Sequence, residues 1–168
     1  MFHQYAVPLI SFYGDDLAQC PLNWCCGTSG NFSLDRSTLG VDPVFDERFE
    51  GWGFEDTELF YRLSKKSVQI RVSREALNYH QNHPRNRVRE HLSWRRNAGV
   101  FFAKHPDFEV AVMIHASLTR MPMLEACEIL NAARATRDAV MTMDYRRLLM
   151  ASIGMRIEVQ PVIGPVFS

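Results

Sequence analysis

The run Gly51-Trp-Gly-Phe-Glu-Asp-Thr-Glu-Leu-Phe-Tyr-Arg-Leu63 constrains the fold of this chain more than any other stretch. Two glycines flank Trp52, so the backbone there can take φ/ψ values closed to other residues and can approach a neighbour closely. Glu55, Asp56 and Glu58 follow at once, where negative charge suits the positive end of a helix dipole. Leu59, Phe60 and Leu63 then fall on one helical face, which predicts a helix from Glu55 to Ser64 entered through a tight turn. A carboxylate at such a helix start can accept backbone N–H bonds, be held rigid and still face a cleft. General bases and acceptors of sugar hydroxyls are presented in this way. An indole beside such carboxylates can pack on the apolar face of a pyranose. A capped helix next to a core tryptophan accounts for the same letters, so residue types alone leave both readings open.

The remaining sequence bounds the class. At 168 residues and 46% hydrophobic, the chain has enough material for one globular domain with a real core. Lysine plus arginine and aspartate plus glutamate are 19 each, so bulk charge gives no pull toward nucleic acid. No run of eighteen apolar residues occurs, and the first ten residues lack a basic stretch followed by a long apolar one. The expectation is therefore a cytoplasmic protein with no membrane span and no nucleic-acid partner. Cys20, Cys25, Cys26 and Cys127 form no CxxC pair and read as free thiols.

Along the chain, Val7–Tyr13 reads as extended, Gly14–Asp16 as a turn, and Trp24–Leu34 as a strand with a Gly-rich approach. Ser33–Ser37 opens a short helix ending near Gly40. Val68–Val72 alternates apolar and polar residues and predicts a strand, and Ala76–His80 a second one. From about Asn86 helix formers dominate. Helices are predicted over Arg87–Ala103, Phe108–Leu118 and, as one or two pieces, Pro122–Met143, with an extended tail after Gly154. The methionines at 121, 123, 141, 143, 150 and 155 suit a packed or partner-binding helical surface.

Three ordered segments carry a resemblance: Asn31-Phe-Ser-Leu-Asp-Arg36, Phe45-Asp-Glu-Arg-Phe49 and the Gly51–Leu63 run, followed by Tyr79-His-Gln81. Together they resemble the C-terminal half of GT-A glycosyltransferases, of the galactosyltransferase and chondroitin-polymerase type with bacterial family 2-like members. The resemblance covers residues 10–85. It implies an α/β fold, the acceptor-side part of a GT-A domain over 1–85, followed by a mainly helical extension over 86–168. By the resemblance Asp56 matches the catalytic base that deprotonates the acceptor hydroxyl. Glu55 matches the acidic neighbour that holds acceptor hydroxyls, and Trp52 and Gly53 match the turn that shapes the sugar site. Asn31 lies where relatives line the cleft. Retaining relatives carry asparagine where Asp56 stands, so the aspartate implies inversion. His80 matches a histidine that helps bind a divalent cation, manganese or magnesium, on the nucleotide diphosphate.

The implied reaction is transfer of a hexose or N-acetylhexosamine from a nucleotide-sugar donor to a carbohydrate or other hydroxyl acceptor. Two departures bear on it. Pro43-Val44 stand where the family has Gly-Gly, and no counterpart of the family's Asp-x-Asp nucleotide-binding half precedes the match, Asp15-Asp16 included. A partner chain supplying that half is one expectation. A non-catalytic sugar-binding or assembly module derived from a glycosyltransferase is the alternative.

Outside the match, His80 and His83 alone give only a weak zinc pattern. The arginines at 85, 87, 89, 95 and 96 read as a phosphate-facing patch or as a solvated helix face, and Arg62 as a structural partner for a carboxylate.

Overall fold

A computed structural model describes residues 3–79, 81 and 84–136. Among the described residues five helices follow one another: α1 (His3–Tyr13), α2 (Glu55–Lys65), α3 (Arg87–Lys104), α4 (Phe108–Thr119) and α5 (Met123–Thr136). Short 3-10 turns at Asn23–Cys26 and Arg36–Thr38 punctuate the long segment between α1 and α2. No strand occurs among the described residues.

The predicted helices of the second half form with nearly the expected bounds. Phe54, in the left-handed region at φ 72°, caps α2 without a side-chain bond, so the three acidic residues of its first turn supply the favourable charge. Asn86 caps α3 by accepting the Arg89 N–H at 3.0 Å. Helix α4 is buried on every side at Val110, Ala111, Val112, Met113, Ile114 and Ala116, and it packs against both α3 and α5.

The first half departs from the sequence reading. Val7–Tyr13 is not extended but belongs to α1, although Pro8 lies inside that helix. Pro8 is the sixth of the eleven residues, where it removes one backbone bond of the helix interior, and the packing of α1 on α5 and on the Asn23–Cys26 turn, with Leu9 fully buried, outweighs that cost. The strand expected at Trp24–Leu34 is replaced by the 3-10 turn and irregular chain. The short helix expected at Ser33–Ser37 is the single turn Arg36–Thr38, capped by the Asp35 carboxylate on Ser37 N at 2.9 Å.

Residues 68–79 do not form the two predicted strands. Val72 N–H donates to Asp15 O at 2.7 Å, Asn31 donates to Ala76 O at 2.6 Å and Asn78 to Gly30 O at 2.6 Å. The segment is pinned at separate points by two different loops, with no ladder among the described residues. Part of the predicted Pro122–Met143 helix, the tail after Gly154, and His80 and His83 lie outside the described residues.

An aromatic cluster joins the parts. Trp24 meets Tyr61 of α2 edge-on at 4.9 Å and Phe101 of α3 at 6.0 Å, and Tyr61 meets Phe101 at 5.6 Å. Edge-to-face geometry of this kind adds to the gain from area burial. Gly27, just after the Trp24 turn, lets the chain lie directly on Phe60: a Cβ there would stand 2.0 Å from the ring. Its φ of −78° suits any residue, so the demand is for space alone. Gly27→Ala is therefore expected to cost about 1–3 kcal/mol, the usual penalty of overpacking. Urea denaturation measures it, and a Phe60→Leu background should recover part of the loss.

Candidate active site

The site starts from the turn that the glycines permit. Gly51 and Gly53 have φ of +79° and +105°, and Phe54 follows at +72°. Space matters as much as conformation. A Cβ on Gly51 would lie 2.8 Å from the Ser93 Cβ, and one on Gly53 would lie 2.7 Å from the Trp94 ring. The turn therefore lies flat against α3, and α3 grips it with side chains. Trp52 N–H donates to Ser93 Oγ at 3.1 Å. The amide of Asn97, fully buried, donates to Gly53 O at 2.8 Å and to Glu50 O at 3.2 Å. Arg96 pairs with Glu50 at 2.6 Å, and Phe54 packs on Trp94 at 5.1 Å.

This grip fixes where the two carboxylates of the first turn of α2 stand. Asp56 is 6% exposed, and its Oδ1 is buried with no hydrogen-bond partner among the described residues. Glu55 is half-buried, and its Oε2 is in the same condition. Burial first and the neighbouring Asp56 charge second raise the Glu55 pKa above the ordinary glutamate value, against backbone N–H groups of Glu55 and Gly53 that pull it down. Two adjacent carboxyl groups with unsatisfied buried oxygens are costly to keep in a folded chain, and such groups call for a functional account. Trp52 stands three residues before Glu55, half-buried, with the Arg85 guanidinium 6.0 Å from its ring centre.

Four of the sequence-predicted site residues, Trp52, Gly53, Glu55 and Asp56, are thus brought together on one turn and helix start. Asn31 has another engagement, since its amide ties the 28–32 loop to Ala76. Asp15 and Asp16 are likewise occupied. Asp15 holds Arg74 through both carboxylate oxygens, and Asp16 accepts the Ala18 N–H. His80 lies outside the described residues.

Sequence reasoning missed the group that braces the helix. Glu58 is 0% exposed and accepts from Arg62 Nε at 2.9 Å, Lys104 Nζ at 2.8 Å and His105 Nε2 at 2.8 Å. Lys104 also reaches Asp46 at 2.6 Å, and Arg62 donates to Val44 O at 2.7 Å. The chain that leads into the turn, the helix that leaves it and the end of α3 are locked through one carboxylate. Burial pushes the Glu58 pKa up, but the bonds from His105, Lys104 and Arg62 outweigh it and hold it below the ordinary glutamate value of 4.5. The Arg62 partner expected from sequence is this residue.

With that geometry in place, comparison with known proteins adds a direction. Residues 21–85 match the family described as the N-terminal domain of galactosyltransferase. The chain is 32% identical over 106 residues to a validoxylamine A glucosyltransferase of Streptomyces hygroscopicus subsp. jinggangensis (strain 5008), covering 63% of this chain and 25% of the relative. It is 33% identical over 78 residues to an uncharacterised glycosyltransferase of Bacillus subtilis (strain 168), covering 46% of this chain and 20% of that protein. It is 36% identical over 70 residues to the chondroitin synthase of Pasteurella multocida (strain Pm70), covering 42% of this chain and 7% of that protein. These similarities support a glycosyltransferase. The chain spans a quarter or less of the length of these relatives. No solved structure gives a significant match. No helix among the described residues is long and apolar enough to cross a membrane.

The Glu58 network yields a prediction with a definite sign. A carboxylate whose folded pKa is depressed adds stability above its unfolded pKa and loses it as pH falls through the folded value. Glu58→Ala, which strands the half-buried Arg62 and Lys104 cations and removes the acceptor of His105, is expected to cost about 3–5 kcal/mol at pH 7. The wild-type protein should lose stability as pH falls below 4.5 and Glu58 takes up a proton, and the variant should show a flatter acid limb. Denaturant titrations across pH measure both effects.

Proposed function

We propose that this chain carries the acceptor-side half of an α/β GT-A glycosyltransferase. The reaction would move a hexose or N-acetylhexosamine from a nucleotide-sugar to an acceptor hydroxyl with inversion. Asp56 is the general base, Glu55 and Gly53 shape the acceptor site, and Trp52 is the platform for a sugar ring. The observation that carries this reading is the buried Asp56 Oδ1, without a protein partner among the described residues, at the start of a helix whose entry turn is clamped on α3. A rigid carboxylate with a free lone pair can take the proton of a hydroxyl as that oxygen attacks the anomeric carbon, and positioned bases of this kind accelerate reactions about 10²–10⁴-fold. Glu55, with its pKa raised by burial, can exchange hydrogen bonds with sugar hydroxyls as donor or acceptor. The matched family and the named relatives support the reaction class.

The described residues do not by themselves fit the manganese or magnesium ion of the resemblance. Among them no three His, Cys, Asp or Glu side chains stand close enough together to hold a cation, and His80 lies outside them. Donor binding is proposed to draw on a nucleotide-binding half beyond the matched segment, in a longer chain or a partner chain.

The test is a transfer assay with a panel of UDP-sugars and hydroxyl acceptors, read by mass spectrometry, on the protein complete with its nucleotide-binding half, as wild type and as Asp56→Asn. The expected result is a loss of about 10²–10⁴-fold in transfer for the variant, with unchanged circular dichroism and unchanged acceptor binding. An Asp56→Asn protein that transfers at the wild-type rate would overturn the assignment of the base. Sugar binding at Trp52 with no transfer under any condition would favour the non-catalytic module.

A further inference from the structure

The segment 85–96 holds five arginines against one glutamate in a chain whose net charge is zero. Arg96 is committed to Glu50. Arg85 meets Glu90 only at 3.9 Å, too far for a hydrogen bond, and its guanidinium stands 6.0 Å from the centre of the Trp52 ring, the outer limit of a cation–π contact. Among the described residues no carboxylate lies within ion-pair distance of Arg87, Arg89 or Arg95. Residues Pro84, Arg85, Asn86, Arg87 and Val88 line an open depression. The same five-residue stretch thus borders both this hollow and, through Arg85, the aromatic platform of the candidate acceptor site.

We infer that Arg85, supported by the charge of Arg87 and Arg89, forms a subsite for an anionic group on the acceptor sugar, such as a uronate carboxylate or a sugar phosphate. The inference rests on the proposed role of Trp52 as the sugar platform. A guanidinium offers five N–H donors in a fixed fork that matches two oxygens of a carboxylate or phosphate. In Arg85 that fork has no short partner among the described residues, and it stands over the ring on which the sugar would lie. The anion would take the fork edge-on while the pyranose packs on the indole. A neutral sugar would leave the fork as it is and gain only the ring contact.

Tryptophan indole N–H resonances of the isotopically labelled chain would be followed by NMR at low salt, with Trp52→Phe assigning the Trp52 signal. Methyl glucuronide, glucose 6-phosphate, methyl glucoside and UDP serve as the probes. The expected result is that methyl glucuronide and glucose 6-phosphate shift the Trp52 signal with about tenfold higher affinity than methyl glucoside. That preference should fall with added salt and disappear in Arg85→Ala, while methyl glucoside binding stays. Arg85→Lys should restore only part of it, because an ammonium cannot form the fork.

Equal affinity for charged and neutral sugars at Trp52 would overturn the anion subsite and leave the acceptor platform standing. UDP alone acting on the Trp52 signal would also overturn it, by assigning the arginine to a donor diphosphate. No shift with any sugar would remove the platform itself, and the proposed role of Trp52 with it.

Discussion

One buried carboxylate sets the geometry on which the rest of the site depends. Glu58 has no exposed surface and gathers a guanidinium, an ammonium and an imidazole around its oxygens. Each partner belongs to a different part of the chain or links to one. Arg62 lies one turn further along α2 and reaches Val44 O, Lys104 ends α3 and reaches Asp46, and His105 opens the connection to α4. Removing a charge from water is expensive, and such a group is tolerated only when its hydrogen bonds are complete. The completeness here fixes the helix that bears Glu55 and Asp56 relative to the chain on either side.

The second constraint is the flat contact between the Gly51–Phe54 turn and α3. Glycine is needed at both 51 and 53, once for φ and once for room. Ser93 and Asn97 then satisfy the backbone groups that a turn pressed onto a helix would otherwise leave unpaired. The family match ends at residue 85, yet these two residues and Lys104 lie beyond it on α3. The helical segment after residue 86 is thus in direct contact with the site, and its core merges with that of α2 through Tyr61, Phe101 and Trp24.

What could be read in the sequence was what local pattern determines. Helix α2 announces itself through helical periodicity and an acidic first turn, and α3 and α4 through runs of helix formers. Trp52, Gly53, Glu55 and Asp56 came together because they are neighbours in sequence. Alternation at Val68, Ile70 and Val72 was a true sign of alternating burial, since these three are the more buried residues of the segment. It was not a sign of pairing, because burial has period two in any extended chain whether or not a second strand lies beside it. Helix α1 was hidden by Pro8, whose local cost is outweighed by packing across the chain. Glu58, Ser93, Asn97 and His105 could not be found from spacing. The partners that tie them to the turn or to α2 stand more than forty residues away, apart from the Glu58–Arg62 pair. The one available hint was an asparagine at 97 in helical register with Trp94 and Phe101 on an otherwise apolar face.

The turn bearing Trp52 and leading into Asp56 is held ready by α3. Hydrogen exchange of the Trp52 backbone amide, followed by NMR, tests it most directly. The expected exchange rate is slowed to the level of amides inside α2 and α3, with a marked acceleration in Ser93→Ala. Exchange at the rate of an open loop in the wild-type chain would contradict it, because a free turn would leave the two carboxylates without a fixed position.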